Sequence, residues 1–92
     1  MPKFKSCANN KFWENYNDLP DNIRLLADKA YELFKTNPQH AGLNIKKVGK
    51  KQPVYSVRIT DYYRSLGYLE GDTVYWFWIG DHSSEEKMIK SI

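Results

Sequence analysis

The stretch YSVRITDYYRSLGY, residues 55–68, has the pattern of two β-strands joined by a tight turn. Most of its strand positions hold tyrosine, valine, isoleucine or leucine, which suit a packed, pleated surface. An arginine nevertheless interrupts each strand, Arg58 in the first and Arg64 in the second. Because successive side chains of a strand point to opposite faces, Arg58 lies with Ser56 on the face opposite Val57. The stretch therefore predicts a hairpin with one apolar face and one polar, charged face.

Alternation of apolar and polar residues around this hairpin predicts four strands after Pro38. They are LNIKKVG (43–49), VYSVRIT (54–60), YRSLGYL (63–69) and TVYWFWI (73–79). The connections GKKQP, TD and EGD are too short for parallel crossovers, so these strands should form an antiparallel meander. The almost continuous apolar character of TVYWFWI predicts a central strand that is covered on both faces. A short first strand is predicted over FKSC (4–7).

The clearest predicted helix lies in LPDNIRLLADKAYELFKTNP, residues 19–38. Pro20 suits the first helical position, and Asn37 is biased away from helix by Pro38. The apolar residues of this segment recur at helical spacing and predict a face that packs on the sheet: Ile23, Ala27, Ala30 and Phe34.

Shorter helices are predicted on either side of this core. One covers NNKFWENYNDL (9–19), and the other covers DHSSEEKMIKSI (81–92), which opens with good capping residues. Met88, Ile89 and Ile92 can anchor the last helix. We therefore predict one α+β domain over residues 1–92, with two N-terminal helices packed on a twisted antiparallel sheet and a short C-terminal helix.

Composition limits the classes of protein to which the chain can belong. It has 92 residues, of which 41% are hydrophobic and 15% aromatic, as expected for one folded domain. The single cysteine, Cys7, can form neither an internal disulfide nor a CxxC zinc site. No signal peptide is recognisable, and no apolar run approaches the roughly 20 residues of a membrane span. We expect a cytoplasmic protein without a metal, a cofactor or a membrane partner.

Charge is distributed unevenly along the chain, whose net charge is +3. Residues 39–64 contain six basic side chains against one acidic residue, Asp61. The basic residues are Lys46, Lys47, Lys50, Lys51, Arg58 and Arg64. A basic segment of this kind suits a polyanion such as nucleic acid. Alternatively, the lysines of KKVGKK protect a strand from edge-to-edge pairing.

Two neighbouring guanidinium groups repel each other unless an anion lies between them. That anion can be a phosphate, a partner's carboxylate, or an acid of this chain such as Asp61 or Glu85. The turn register decides whether Arg58 and Arg64 share a face, and the sequence leaves this open. With His82 just beyond the central strand, the set suits phosphodiester chemistry, in which cations stabilise charge and one group transfers a proton. The alternative is a salt-bridge network with His82 as a helix cap.

The order LP…A…AY.LFK.NP.H..L..KKV, followed by YSVRI…YR.LG…GD.V.WFWIG.H, resembles the RelE/ParE superfamily of toxins from bacterial type II toxin–antitoxin systems. The match runs from about Leu19 to Ile89. The resemblance implies two helices on a twisted antiparallel sheet, with the active face in the concavity of the sheet. It also implies one of two activities, because one branch of the superfamily cleaves mRNA in the ribosomal A site and the other poisons DNA gyrase.

In the cleaving branch, the resemblance implies roles for individual residues. Such enzymes promote attack of a 2′-hydroxyl on the adjacent phosphate. Arg58 and Arg64 would stabilise the charge on the phosphorane, and His82 would act as general acid or base. The predicted contacts to the RNA backbone are Lys46, Lys47 and Lys50. Tyr62 or Tyr63 would stack on a base, unless it packs within the sheet.

The chain departs from the superfamily at two positions. Relatives often carry a tyrosine in an H..Y pattern, where this chain has Glu85. A glutamate there can serve as a general base, or it can repel RNA and mark a weakened enzyme. Ser56 stands where some potent relatives have a lysine.

From these features we expect a toxin that cleaves mRNA on the ribosome and is bound by a cognate antitoxin. Catalytic roles are assigned to Arg58, Arg64, His82 and Glu85. Its partners would then be the antitoxin, the ribosome and mRNA. The alternatives are a non-enzymatic gyrase inhibitor and a degenerate member with weak or no toxicity.

Overall fold

The computed structural model describes residues 5–91, which form three α-helices, one 3₁₀ turn and a five-stranded sheet. In chain order the elements are β1 (Lys5–Ala8), α1 (Asn10–Asn17), α2 (Asp21–Thr36), the 3₁₀ turn (Ala41–Leu43), β2 (Lys46–Lys47), β3 (Val54–Arg58), β4 (Tyr63–Glu70), β5 (Thr73–Asp81) and α3 (His82–Ser91). The predicted α+β class is confirmed, including the short C-terminal helix.

The strand order is β1-β5-β4-β3-β2, and the meander from β2 to β5 is antiparallel as predicted. β5 is an interior strand between β1 and β4, which agrees with its predicted position inside the sheet, although β4 is the middle strand. β1 differs, because it pairs with β5 in parallel, with Ala8 opposite Trp76. The long chain segment between β1 and β5 removes the hairpin constraint that forces antiparallel pairing. Of the strand predicted over 4–7, Phe4 lies outside the described residues.

The predicted strand over 43–49 is wrong in extent, because only Lys46–Lys47 pairs with β3. The preceding residues turn instead. The backbone amide of Gly42 donates to Nδ1 of His40 at 2.9 Å, and Asn44 adopts a left-handed conformation with φ 45°. This turn directs Leu43 into the core, where it is 1% exposed. Burial of one leucine thus replaces part of the expected strand pairing.

One face of the sheet is covered by α1 and α2. The apolar face of α2 is buried where the helical spacing predicted it, at Ile23, Ala27 and Phe34. These side chains pack in two clusters with residues of the sheet, which include Trp76 and Ile79. A Cβ on Gly67 would lie 2.7 Å from Cγ1 of Val74, so the close packing of β4 on β5 requires glycine there.

The opposite face of the sheet is covered by α3. Val54, Leu66 and Trp78 form a buried cluster on this face, and Met88 and Ile89 of α3 pack against it. The predicted anchoring by these two residues is confirmed, whereas Ile92 lies outside the described residues. The polar end of the same face, beyond the reach of this cluster, holds the candidate site. No helix within residues 5–91 is long and apolar enough to cross a membrane.

Candidate active site

The two arginines of the β3–β4 hairpin lie directly opposite each other, with Arg58 paired with Arg64. Directly opposed residues of an antiparallel pair project to the same face, so the register answers the question that the sequence left open. The turn that sets this register is held by its own hydrogen bonds. Oγ1 of Thr60 accepts from the amides of Tyr62 at 3.1 Å and Tyr63 at 3.2 Å.

The surroundings of the two guanidinium groups differ. Arg58 forms an ion pair with Asp61 of the turn, at 2.8 Å between Nη2 and Oδ1. Within residues 5–91, Arg64 forms no ion pair, and its Nε is buried without a hydrogen-bond partner. Like charges placed directly opposite each other destabilise a strand pair, and an unsatisfied buried donor adds to that cost. An anion bound at the two guanidinium groups would offset the repulsion between them.

His82 lies at the same end of the sheet as the arginines. It is the first residue of α3, two positions after Gly80, which pairs with Arg64. Its backbone amide donates to the carbonyl oxygen of Tyr62 at 2.7 Å, so the hairpin turn holds the start of the helix. The imidazole is half-exposed. Arg58, Arg64 and His82 are therefore brought together at one end of one face.

Asp81, and not His82, caps the last helix. Its Oδ1 accepts from the backbone amide of Ser84 at 2.7 Å. This hydrogen bond, strengthened by one from the Ser84 hydroxyl, lowers the pKa of the Asp81 carboxyl below its ordinary value. The imidazole of His82 is thus left free for a role other than capping.

Glu85 lies one turn of helix beyond His82 and is buried. The hydroxyl of Ser56 donates to its Oε2 at 2.6 Å, and Nδ1 of His82 lies 3.4 Å from its Oε1. Ser56 precedes Arg58 by two residues on β3 and shares its face. The structure therefore places Glu85 beneath the site, between a serine and the histidine, and away from solvent.

The predicted RNA-binding residues are divided between the two faces. Lys46 pairs with Ser56 and so projects to the arginine face, whereas Lys47 pairs with Tyr55 and projects to the other. Lys50 is exposed in the β2–β3 connection. Tyr63 packs in the apolar cluster beneath α2, away from the arginines.

Tyr62 is the tyrosine of the hairpin turn that meets solvent, with 75% of its surface exposed. Sequence reasoning placed Ser56 on the polar face of its strand and noted it as a departure from relatives, but it missed the contact with Glu85. The place of Ser56 next to Val54 on the Arg58 face of β3 was the available signal, because a polar side chain that is buried needs a hydrogen-bond partner.

Comparisons with known proteins identify the family and the fold of the chain. Residues 21–84 match the model of the ParE-like toxin domain family. No curated protein sequence matches the chain. Several solved structures share its fold at low identity. One of them is a chain of the RelB–RelE antitoxin–toxin complex of Methanococcus jannaschii, with 20% identity and a TM-score of 0.72, over 88% of this chain and 95% of that one.

Two further structures are similar over most of their length. YafQ of Escherichia coli has 8% identity and a TM-score of 0.73, over 90% of this chain and 98% of that one. The RelBE2 toxin–antitoxin complex of Mycobacterium tuberculosis has 15% identity and a TM-score of 0.67, over 87% of this chain and 99% of that one. The chain therefore belongs to the ParE-like toxin domain family.

Proposed function

We propose that this protein is a toxin that stops translation by cleaving mRNA on the ribosome. The observation that carries the proposal is that Arg58, Arg64 and His82 lie together at the polar end of the sheet face on which α3 packs. Arg64 in particular has a buried, unsatisfied donor and forms no ion pair within residues 5–91. A cationic pair beside a group that can transfer a proton suits phosphodiester cleavage, whereas a protein that only blocks an enzyme needs no such set.

The chemistry follows from the charges. The 2′-oxygen of one nucleotide attacks its own 3′-phosphate, the bond to the next 5′-oxygen breaks, and a cyclic phosphate and a 5′-hydroxyl result. The fork-shaped guanidinium of Arg64 binds the phosphate, and Arg58 adds a second charge when it exchanges Asp61 for the substrate. His82 takes the proton of the attacking hydroxyl or gives one to the departing oxygen.

Side chains around the arginine pair bind the RNA. Lys46, on the arginine face, and Lys50, in the neighbouring connection, contact the RNA backbone, and these contacts weaken with salt. Tyr62, exposed at the tip of the hairpin, is the aromatic side chain placed to stack on a base. The side chain of Tyr63 serves the core instead.

Induced expression in bacteria tests the proposal, with protein synthesis, DNA synthesis and mRNA integrity followed separately. We expect protein synthesis to stop first and new 5′ ends to appear in mRNA that is being translated. His82→Ala, expressed in soluble form, is expected to weaken both effects strongly, because loss of a proton-transfer group lowers the rate of cleavage by about 10²–10⁴-fold. If DNA synthesis fails first while mRNA stays intact, the protein acts on gyrase. Normal growth at high soluble expression would identify a degenerate member.

We also propose a cognate antitoxin as partner. The solved RelB–RelE and RelBE2 structures are toxin–antitoxin complexes, and the basic arginine face of this chain needs to be covered when the toxin is silent. An acidic segment that is flexible alone and folds on the toxin suits this surface.

A further inference from the structure

Glu85 is the buried carboxylate of residues 5–91, with 4% of its surface exposed. A carboxylate is rarely buried unless hydrogen bonds or an opposite charge compensate for the lost water. Here the two oxygens have different partners. Oε2 accepts from the Ser56 hydroxyl at 2.6 Å, which is within the range of a charge-assisted bond, and Oε1 faces Nδ1 of His82 at 3.4 Å.

This position prevents Glu85 from acting directly on a substrate. A general base must come within hydrogen-bonding distance of the proton it removes, and the buried carboxylate already faces two groups of its own chain. The roles left open for Glu85 by the sequence, a general base or a charge that repels RNA, both require an exposed carboxylate. The side chain of His82, in contrast, is 51% exposed.

The imidazole of His82 is oriented from two directions. Its backbone is tied to the hairpin by the bond to the Tyr62 carbonyl, and its Nδ1 faces Glu85. A neutral imidazole carries its proton on the nitrogen that faces a carboxylate, which leaves the other nitrogen as the acceptor. That other nitrogen, Nε2, lies 3.9 Å from Oε1 of Glu86, which is itself exposed.

We propose that Ser56 and Glu85 are positioning residues for His82. Ser56 holds the carboxylate, and the carboxylate holds the proton of Nδ1. As a result, Nε2 alone exchanges a proton with the RNA, while Nδ1 keeps its own proton in both charge states of the ring. The inference rests on the proposed function for the identity of the substrate. The chain Ser56–Glu85–His82 itself rests on geometry.

The first test compares three purified variants with the wild type in ribosome-dependent cleavage. Ser56→Ala and Glu85→Gln are expected to lower kcat by up to about 10²-fold with KM unchanged, because misplacement of a proton-transfer group affects the chemical step. Ser65→Ala is the matched control. Ser65 is also buried in the hairpin, but it lies on the other face and donates to the Trp78 carbonyl at 3.2 Å. We expect its kcat to equal that of the wild type.

The second test separates positioning from general support of the fold. Ser56→Ala should cause no further loss of kcat in a His82→Ala background, because residues that act through one another are not additive. Ser56→Thr keeps the hydroxyl, so its kcat should stay closer to that of the wild type than the kcat of Ser56→Ala does. If the Ser56→Ala loss appears in full in the His82→Ala background, or if Ser65→Ala lowers kcat equally, the proposal is overturned.

The third test does not depend on catalysis. ¹⁵N NMR of the neutral His82 ring in alkaline solution reports which nitrogen carries the proton. We expect Nδ1–H in the wild type and in Ser65→Ala, and a mixture of tautomers in Ser56→Ala and Glu85→Gln. An unchanged tautomer in both of these variants refutes the positioning role. If the wild type does not cleave RNA, the proposed function fails, and this spectrum alone decides whether Ser56 and Glu85 position His82.

Discussion

Arg58 and Arg64 occupy equivalent places on neighbouring strands, but their partners give them different roles. Arg58 forms a partly exposed ion pair with Asp61, and such ion pairs contribute little to stability. Arg64 forms no ion pair within residues 5–91 and has a buried donor without a partner. Under the proposed function, Arg64 is therefore the side chain with which an incoming phosphate would pair.

Arg64→Ala should lower the kcat of cleavage by about 10²–10³-fold, because a donor aimed at developing charge contributes mainly in the transition state. Lys50→Ala, an exposed control on the same basic segment, should instead raise KM and reduce its dependence on salt. Steady-state kinetics at two salt concentrations distinguish the two effects. Equal kinetics for both variants would mean that the arginine pair is structural.

Asp81 caps the start of α3, so its loss should lower the stability of the fold. Asp81→Ala should lower stability by about 1 kcal/mol through loss of the cap. For a domain of this size, that corresponds to a decrease of about 4–8 °C in melting temperature. Asp81→Asn keeps an acceptor for the Ser84 amide, so it should lower the stability less than Asp81→Ala does.

The sign of the pH effect follows from the lowered pKa of Asp81 in the folded protein. The charge of Asp81 stabilises the fold at pH values above 3.8, which is the ordinary pKa of the carboxyl. This stabilisation is lost as the pH falls through the lower pKa that the carboxyl has in the folded protein. The advantage of wild type over Asp81→Asn in thermal unfolding should therefore be present at neutral pH and vanish in acid. An advantage that persists in strong acid would show that the charge of Asp81 is not its cause.

At the scale of elements, α3 links the core to the chemistry. Its N-terminal turn carries His82 and Glu85, and its C-terminal half packs through Met88 and Ile89 on the cluster that contains Leu66. The position of the imidazole thus depends on apolar packing at the other end of the same helix.

Leu66→Ala tests this link. Leu66 is fully buried beneath α3, so truncation should lower the free energy of unfolding by about 2–5 kcal/mol. We also expect kcat to fall in the fraction that remains folded, because α3 loses its contact surface. Leu25→Ala, at a leucine that is 63% exposed, should change stability by less than about 0.5 kcal/mol. Urea unfolding and cleavage assays measure both effects, and full activity of folded Leu66→Ala would separate α3 packing from the site.

At the scale of the whole molecule, the sheet has two different faces. One is sealed by α1 and α2, whereas the other is only partly covered by α3 and ends in the arginines. The basic surface at that end is where the proposed RNA and the proposed antitoxin would compete.

Co-expression with the proposed antitoxin should yield a complex that dissociates as salt is raised, because opposite charges are screened. Within the complex, cleavage should be blocked. Arg64→Ala should weaken the complex, and Lys29→Ala, at an exposed position on α2, should leave it intact. A complex that is stable at high salt and insensitive to Arg64→Ala would show that the antitoxin binds elsewhere.

Much of this architecture was determined by the sequence alone, because it depends on local periodicity. The spacing of Ile23, Ala27 and Phe34 predicted the buried face of α2, and the apolar run TVYWFWI predicted a central strand. Short turns left the meander no topology except an antiparallel one. The order of motifs also predicted the family, which the match over residues 21–84 confirms.

Tertiary structure decided what depends on contacts between distant parts of the chain. The parallel pairing of β1 could not be predicted because no short turn joins it to β5. The shared face of Arg58 and Arg64 depended on a register that the residue pattern leaves ambiguous. The contact between Ser56 and Glu85 joins residues 29 positions apart, and it forms only when α3 lies across β3. Periodicity determines which face a side chain occupies, but only packing determines which side chain it meets there.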